Sequence, residues 1–173
     1  RPDLVPDADV LAREHGQTAR WLADARPDVI WIETMGTIRE AAAAAGAVRA
    51  VDLPFVVSFV TRESGQLLGG EALEDAVATI ATLHPLAVGV NCVPPRGISA
   101  LVPRLAACTT LPIAAYAHIN NQRPTPGWSF TEAPNPHEYA EAARSWIALG
   151  ARIVGGCCGT SPGYIDMIRR MVG

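Results

Sequence analysis

The sequence predicts an α/β protein in which helices cover a parallel β-sheet. Short apolar segments recur along the chain, and a segment with helical periodicity or high alanine content follows each of them. Strands that are buried on both faces and alternate with helices are typical of parallel sheets. Polar residues and cysteines cluster just after the apolar segments. Parallel barrels and open α/β sheets both place their functional sites at these carboxyl ends, so the pattern fits either architecture.

Length and composition limit the classes of function. The chain has 173 residues, 49% hydrophobic and 18% charged, which predicts a single domain over 1–173 with a sizeable core. The net charge of −3 argues against nucleic acid or an anionic membrane as a partner. All 14 basic residues are arginine, so chemistry that needs a lysine Schiff base is excluded.

The chain shows neither membrane nor secretion signals. No apolar segment approaches the ~18 residues of a membrane span, and the opening Arg1–Leu4 is not a signal peptide. The four cysteines lack the spacing of a small secreted disulfide framework, so metal binding or catalysis is their expected use. We therefore expect a cytoplasmic protein.

An initial helix and five strand–helix units account for most of the chain. Asp7 can cap the first helix, which should run to about Ala25. The strands are expected at 28–32, 54–60, 86–90, 112–117 and 152–154. The helices that follow them are expected at 38–50, 71–83, 99–107 and 136–150, with a last one that begins at Ser161-Pro162.

Helical periodicity predicts which side of each helix is buried. The first helix should bury Leu11, Thr18, Leu22 and Ala25. The helix over 71–83 should bury Leu73, Ala76, Val77, Ile80 and Leu83, and the helix after Pro136 should bury Tyr139, Ala143, Trp146 and Ile147. The last helix should bury Ile165, Ile168 and Val172.

One loop is long enough to suggest a function. The segment 119–135 carries Trp128 and Phe130, and loops of this length in compact domains are usually functional or disordered. The two aromatic residues could cover a ligand, or they could pack the loop against the domain.

The cysteines are the main candidates for chemistry. Cys157 and Cys158 follow the last strand, where Gly155, Gly156 and Gly159 permit an unusual backbone. Cys92 follows the third strand, so a parallel sheet places all three thiols on one rim. Three thiolates suit zinc and leave a fourth position open for water or substrate. The alternatives are buried cysteines without a function and a disulfide between the two adjacent thiols. Cys108, between a helix and a strand, is expected in the core.

Several polar residues end strands on the same rim. Glu33 could bind a substrate ammonium group, act as a base, or be a solvated loop residue. Asn91 and Ser58 could donate hydrogen bonds into the site or satisfy local backbone groups. His118 could be a ligand or a base, although a lone histidine in a loop is usually neither.

Two motifs carry a family resemblance. At Gly89-Val90-Asn91-Cys92 and at Gly-Gly-Cys-Cys-Gly-Thr-Ser-Pro over 155–162, the chain resembles the homocysteine S-methyltransferase family. That family includes betaine– and S-methylmethionine–homocysteine methyltransferases and the homocysteine module of cobalamin-dependent methionine synthase. The similarity extends in the same order to Ile32-Glu33-Thr34-Met35, Ser58-Phe59 and Gly150-Ala151-Arg152.

The resemblance implies a (β/α)₈ barrel of the TIM type, to which this chain contributes about strands four to eight. It implies Zn²⁺ held by Cys92, Cys157 and Cys158, with the homocysteine thiol in the fourth position. Glu33 would bind the amino group of homocysteine, and the matched positions Thr34, Asn91 and Ser58 would complete the substrate site. A methyl group from S-methylmethionine, S-adenosylmethionine, betaine or methylfolate/cobalamin would then convert homocysteine to methionine.

The chain departs from the family in two respects. Tyr116-Ala117-His118-Ile119-Asn120 stands where the family usually has Tyr-Pro-Asn. Five strand–helix units are also too few for a complete barrel, which typically needs at least ~200 residues. We expect the C-terminal part of a longer protein, strands supplied by another chain, or an open barrel whose unpaired edge favours a homo-oligomer. The rival functions are a non-catalytic zinc-binding partial barrel, as a fragment or assembly partner, and a thiol-redox protein.

Overall fold

The structure, a computed structural model, describes residues 1–119 and 134–173 and shows one parallel sheet. Its five strands lie side by side in the order of the sequence, and every neighbouring pair is parallel. The strands are β1 (Ile30–Met35), β2 (Phe55–Phe59), β3 (Ala87–Asn91), β4 (Ile113–Ala117) and β5 (Ala151–Gly156). This sequential order is that of consecutive units in a parallel barrel, and it confirms the predicted α/β class.

Within the described residues, six α-helices accompany the sheet. They are α1 (Ala8–Asp24), α2 (Ile38–Ala50), α3 (Leu73–Ala81), α4 (Pro95–Cys108), α5 (Pro136–Ala148) and α6 (Pro162–Val172). The side chain of Thr37 caps α2, and a capping box between Asn135 and Glu138 begins α5. None of the described helices combines the length and the apolar character that crossing a membrane requires.

The core lies between the sheet and its helices. The three central strands are buried along their whole length. Helix α3 buries Leu73, Ala76, Val77 and Ile80, and α5 buries Tyr139, Ala143 and Trp146, as periodicity predicts. The alternate residues of each strand face the other side of the sheet, where Ser58 contacts both Asn91 and Tyr116.

The predicted buried faces of two helices are wrong. Helix α1 buries Leu11 and Ala19, whereas Thr18, Leu22 and Ala25 are exposed. Helix α6 buries Ile168 but leaves Ile165 and Val172 more than two-fifths exposed. Both helices lie at an end of the described layer, so each has a neighbour on fewer sides than a central helix has.

Several boundaries and caps also differ from the expectation. Helix α4 begins at Pro95 rather than Ser99, because proline at the first helical position requires no backbone donor. Neither Asp7 nor Ser161 makes a side-chain capping hydrogen bond within the described part of the chain. Cys108 is exposed rather than buried, because it ends α4 on the solvent side.

Two predicted strands extend further than expected. β5 continues through Gly155 and Gly156, and only Gly159, with φ of 87°, has the left-handed backbone expected of this turn. Gly156 is required for space, because a Cβ there would collide with the hydroxyl of Thr160. β1 reaches Met35, so Glu33 and Thr34 lie within the last residues of the strand rather than after it.

Candidate metal centre

Cys92 turns out of its strand in an uncommon conformation. It directly follows β3 and has φ of 57°, in the left-handed region that few residues other than glycine adopt. Its backbone N–H donates to the carbonyl of Tyr116 on β4 at 3.3 Å. The strained residue is therefore anchored to the neighbouring strand, and backbone outliers of this kind concentrate at functional sites.

The adjacent cysteines are held by backbone contacts that extend the β4–β5 pairing. The Cys157 N–H donates to the Ala117 carbonyl at 3.0 Å, and the Cys158 carbonyl accepts from the Ile119 N–H at 3.0 Å. The Thr160 N–H and hydroxyl both donate to the Cys157 carbonyl, at 3.1 and 2.7 Å. These contacts close a tight turn, so that two consecutive thiols can serve one site.

The three sulfur atoms converge. The Sγ atoms of Cys92 and Cys158 are 3.9 Å apart, as are those of Cys157 and Cys158, and all three lie within 4.8 Å of one another. All three are free thiols. A tetrahedral zinc ion with Zn–S bonds of ~2.3 Å requires S···S separations of roughly 3.8 Å. The arrangement therefore fits a tetrahedral ion and leaves room for one further ligand.

No other set of ligands competes for this role in the described residues. Within 1–119 and 134–173, these thiols are the one group of three His, Cys, Asp or Glu side chains whose ligand atoms come this close. His118 is buried but does not join them, and its Nε2 has no hydrogen-bond partner in the described chain. Burial lowers the pKa of this imidazole, which favours its neutral form.

Without a metal, a low pKa favours one negative charge on Cys157 near neutral pH. The Cys92 thiol stabilises the Cys157 thiolate and lowers its pKa to about 6, with further help from the Cys158 N–H and thiol and from the Asn91 amide. The pKa of Cys92 is raised because its thiol donates to that thiolate and is buried. Burial, followed by the charge on Cys157, raises the pKa of Cys158. The site therefore attracts a cation.

Asn91 connects the thiols to the rest of the rim. It is fully buried at the end of β3, and its Oδ1 accepts from the backbone N–H of Thr34 at 3.1 Å, which fixes the orientation of the amide. Its Nδ2 donates to Thr34 Oγ1 at 2.8 Å and to Cys157 Sγ at 3.9 Å. Ser58 Oγ, on β2, lies within donating distance of the same Oδ1, at 3.0 Å.

A β-bulge positions Glu33 and Thr34. Between the pairs Ile32–Val57 and Met35–Phe59, three steps along β1 match two along β2. Thr34 has φ of 64°, which is unusual for a β-branched residue. Bulges often redirect side chains next to functional sites. Here Glu33 is exposed at the rim while the Thr34 backbone is fastened to Asn91.

Sequence reasoning missed Tyr116 as a site residue. Its hydroxyl lies 3.1 Å from Glu33 Oε2 and 2.5 Å from Ser58 Oγ, and it accepts from the Trp31 indole N–H at 2.8 Å. The available signal was a polar aromatic residue in the otherwise aliphatic strand Ile113–Ala117. Trp31 carried a weaker signal, since it is two residues before Glu33 and so shares its face of β1.

A cavity of about 820 Å³ lies beside Cys92. The loop after β2 and the beginning of α4 line it, including Arg62, Ser64, Arg96 and Gly97. A volume of this size accommodates a small molecule. The aromatic residues Trp128 and Phe130 of the long loop, and Asn120 of the departing motif, lie outside the described residues.

Comparisons with known proteins agree on one family. The family model described as homocysteine S-methyltransferase matches residues 3–172. Homocysteine S-methyltransferase 1 of Arabidopsis thaliana is 28% identical over 167 residues, which are 94% of this chain and 51% of that protein. Homocysteine S-methyltransferase YbgG of Bacillus subtilis is 28% identical over 170 residues, covering 97% of this chain and 54% of that one.

A solved structure agrees with this result. The metallated form of the homocysteine methyltransferase MmuM of Escherichia coli superposes with a TM-score of 0.81 at 27% identity, covering 98% of this chain and 54% of that one. The sheet therefore matches part of a TIM-type barrel. The chain spans about half the length of the curated relatives named here.

Proposed function

The chain belongs to the homocysteine S-methyltransferase family, and from this premise we propose that residues 1–173 are the C-terminal part of a homocysteine-binding (β/α) barrel. The complete protein would transfer a methyl group from a small donor to the sulfur of homocysteine, giving methionine. The convergence of three thiols beside an exposed carboxylate on one rim of the sheet is the observation that supports this function most directly.

We propose Zn²⁺ as the metal, with Cys92, Cys157 and Cys158 as its ligands. The spacing of the sulfur atoms supports a tetrahedral ion, and the softness of three thiolates favours zinc over magnesium or calcium. When bound, zinc would lower the pKa of a coordinating thiol, so that homocysteine could react as a thiolate near neutral pH.

The residues around the thiols would bind the amino acid. Glu33, exposed at the rim, would accept a hydrogen bond from the ammonium group. Thr34, Asn91 and Ser58 are already joined by hydrogen bonds, so they would form a rigid floor for the substrate. Placing sulfur and methyl donor in line contributes much of the rate in such a reaction, and rigidity serves that alignment.

The cavity beside Cys92 offers a place for the methyl donor. Its volume suits each of the smaller candidates, S-methylmethionine, S-adenosylmethionine and betaine. The arginines at its edge would favour a donor that carries a carboxylate.

A second function follows from the length of the chain. Since it spans about half of its relatives, it could be a non-catalytic zinc-binding partial barrel that assembles with another chain. A thiol-redox protein is a weaker candidate, because the Cys157 and Cys158 sulfur atoms are 3.9 Å apart and unbonded.

Metal analysis combined with a methyl-transfer assay separates these functions. We expect about one zinc per chain, and Cys157→Ser should weaken zinc binding by more than the ~10–100-fold typical for loss of an outer hydrogen-bond partner. Cys108→Ser is the matched control, because this exposed thiol lies outside the cluster, and it should leave zinc binding unchanged.

The assay then follows methionine formation from homocysteine with each donor in turn. Turnover supports the methyltransferase. Zinc without turnover supports the non-catalytic partial barrel, and absence of zinc contradicts both. A disulfide between Cys157 and Cys158 that titrates reversibly in the absence of metal would support the redox function.

A further inference from the structure

The Tyr116 hydroxyl is the centre of a hydrogen-bond chain that joins Glu33 to Cys157. It contacts Glu33 Oε2 at 3.1 Å and Ser58 Oγ at 2.5 Å. Ser58 contacts Asn91 Oδ1 at 3.0 Å, and the Asn91 amide N–H reaches Cys157 Sγ at 3.9 Å. Tyr116, Ser58 and Asn91 are all buried, so the middle of the chain is shielded from water, whereas Glu33 at its outer end is exposed. The chain therefore runs from the proposed ammonium site to the proposed metal ligand through protein atoms alone.

The chain has one hydrogen too few for all of its contacts when Glu33 is ionised. It contains three oxygen–oxygen contacts, namely Glu33–Tyr116, Tyr116–Ser58 and Ser58–Asn91. Asn91 Oδ1 can only accept, because an amide oxygen carries no hydrogen, and the N–H that Thr34 donates to it identifies it as the oxygen. The indole N–H of Trp31 donates to the Tyr116 oxygen and supplies none of the three. Each hydroxyl has a single hydrogen, so two hydrogens serve three contacts.

The Tyr116 and Ser58 oxygens are only 2.5 Å apart, so one of the two hydrogens must lie between them. Two arrangements then remain. In the first, Tyr116 donates to Glu33 and Ser58 donates to Tyr116, so Asn91 Oδ1 accepts from Thr34 alone. In the second, Tyr116 donates to Ser58, and Ser58 donates to Asn91. Glu33, which is exposed, then accepts from water or from a ligand. A substrate ammonium group is a charged and therefore stronger donor than water, so its binding would favour the second arrangement.

We propose that Tyr116 is a positioning residue that holds the Glu33 carboxylate for the substrate ammonium group and links its occupancy, through Ser58 and Asn91, to the metal ligand Cys157. In the second arrangement Asn91 accepts one more hydrogen bond, and cooperative polarisation strengthens the bond that its amide donates to Cys157. An amino acid thiol would thereby be distinguished from a simple thiol at the metal. This inference rests on the function proposed above.

The test compares the binding of two thiols to protein that is loaded with Co²⁺ in place of the proposed Zn²⁺, because thiol binding to cobalt can be followed by absorption. Homocysteine carries the ammonium group, whereas 4-mercaptobutanoate has the same thiol and carboxylate without it. Titration followed by the sulfur-to-cobalt charge-transfer absorption gives the affinity for each. We expect the wild-type chain to prefer homocysteine, and Tyr116→Phe to reduce that preference about tenfold, as loss of a hydrogen bond to a charged group implies.

Further variants separate the linkage from a general structural effect. Ser58→Ala should lower the preference by less than Tyr116→Phe, and the double variant should lose no more than Tyr116→Phe alone, because both residues belong to one chain of bonds. Tyr164→Phe is the matched control, since its hydroxyl donates to the Pro134 carbonyl instead, and it should keep the wild-type preference. Cobalt stoichiometry should be equal in all of these proteins.

The outcomes are distinguishable. If the wild-type cobalt protein binds neither thiol, the proposed function and the role of Tyr116 are both overturned. If it prefers homocysteine and Tyr116→Phe retains that preference, the role of Tyr116 alone is overturned. Thermal unfolding reports whether each variant folds, and Ser58→Ala, which removes a single oxygen, tests the same linkage if Tyr116→Phe does not fold.

Discussion

At the scale of the residue, the neighbours of a thiol decide its protonation. The Cys92 thiol and the Asn91 amide stabilise charge on Cys157, whereas the Cys157 charge keeps Cys92 protonated. Metal binding requires all three sulfurs as thiolates, so protons compete with the metal for the site. A cluster that already holds one thiolate near neutral pH has fewer protons to release when a metal binds.

The metal-free protein should therefore show one unusually reactive cysteine. We expect Cys157 to be alkylated first, at a rate that is half-maximal near its pKa of about 6 and falls as the pH decreases, because only the thiolate attacks the reagent. The measurement is the alkylation rate between acidic and alkaline pH in the presence of a chelator, with the modified residue identified by mass spectrometry.

Cys108 is the internal control for this experiment. Partial desolvation of its sulfur, followed by the nearby charge of Glu74, raises the pKa of Cys108, so its thiolate forms only at alkaline pH. If Cys157 and Cys108 were alkylated with the same pH dependence, the proposed stabilisation of the Cys157 thiolate would be wrong.

The sequence predicted the residues that carry chemistry better than the contacts among them. Cys92, Cys157 and Cys158 could be placed on one rim because each follows a strand end in a parallel sheet. The bulge at Glu33–Thr34 could not be foreseen, because an extra residue in β1 is defined only by its pairing with β2. The assigned roles of Glu33, Thr34, Asn91 and Ser58 stay predictions.

At the scale of the element, Tyr139 joins α5 to the end of the sheet. Its side chain is fully buried, and its hydroxyl accepts from the Ala117 N–H at 2.9 Å. The same hydroxyl lies within donating distance of the Ala117 carbonyl at 2.8 Å and of the Gly155 carbonyl at 3.0 Å. Tyr139 thus joins the last residues of β4 and β5, next to the paired cysteines in the sequence.

Tyr139→Phe should destabilise the fold. The substitution keeps the ring but removes the hydroxyl that bonds the buried backbone of Ala117, which should lower the free energy of unfolding by about 1–3 kcal/mol. Urea unfolding followed by circular dichroism measures this change. Tyr164→Phe makes the same chemical change at a half-buried hydroxyl bonded to one carbonyl, and it should cost less. Equal losses in the two variants would contradict the role given to Tyr139.

Helix boundaries were predictable where a local signal dominates. The predicted bounds of α2 are confirmed, because Thr37 caps its first turn and alanines fill its interior. The beginning of α4 differs from the predicted Ser99, because Pro95 occupies the first turn of the helix, where proline is tolerated. The burial of α1 and α6 depends on the elements beside them, which periodicity does not specify.

At the scale of the whole molecule, the sheet has two open edges. Among the described strands, β1 pairs with β2 alone and β5 pairs with β4 alone. Unpaired strand edges are templates for association with other strands. In a closed parallel barrel such edges are absent, because the first and last strands pair with each other.

The 173-residue chain by itself should therefore associate. We expect sedimentation velocity over a dilution series to show species heavier than the 18.3 kDa monomer that dissociate on dilution. Far-ultraviolet circular dichroism at each concentration would verify that the fold is retained. A single 18.3 kDa species at every concentration, with the fold intact, would show that the edges are protected.

The sequential strand order also makes the molecule modular. Because each strand pairs with its neighbours in the sequence, division between two units severs a single strand ladder and leaves the pairings on either side intact. Cys92 follows the third strand of this sheet and the other two thiols follow the fifth. A gene that is divided or fused anywhere before β3 would therefore keep all three thiols on the same C-terminal piece. The capacity to bind a metal could then be inherited separately from the remainder of a barrel.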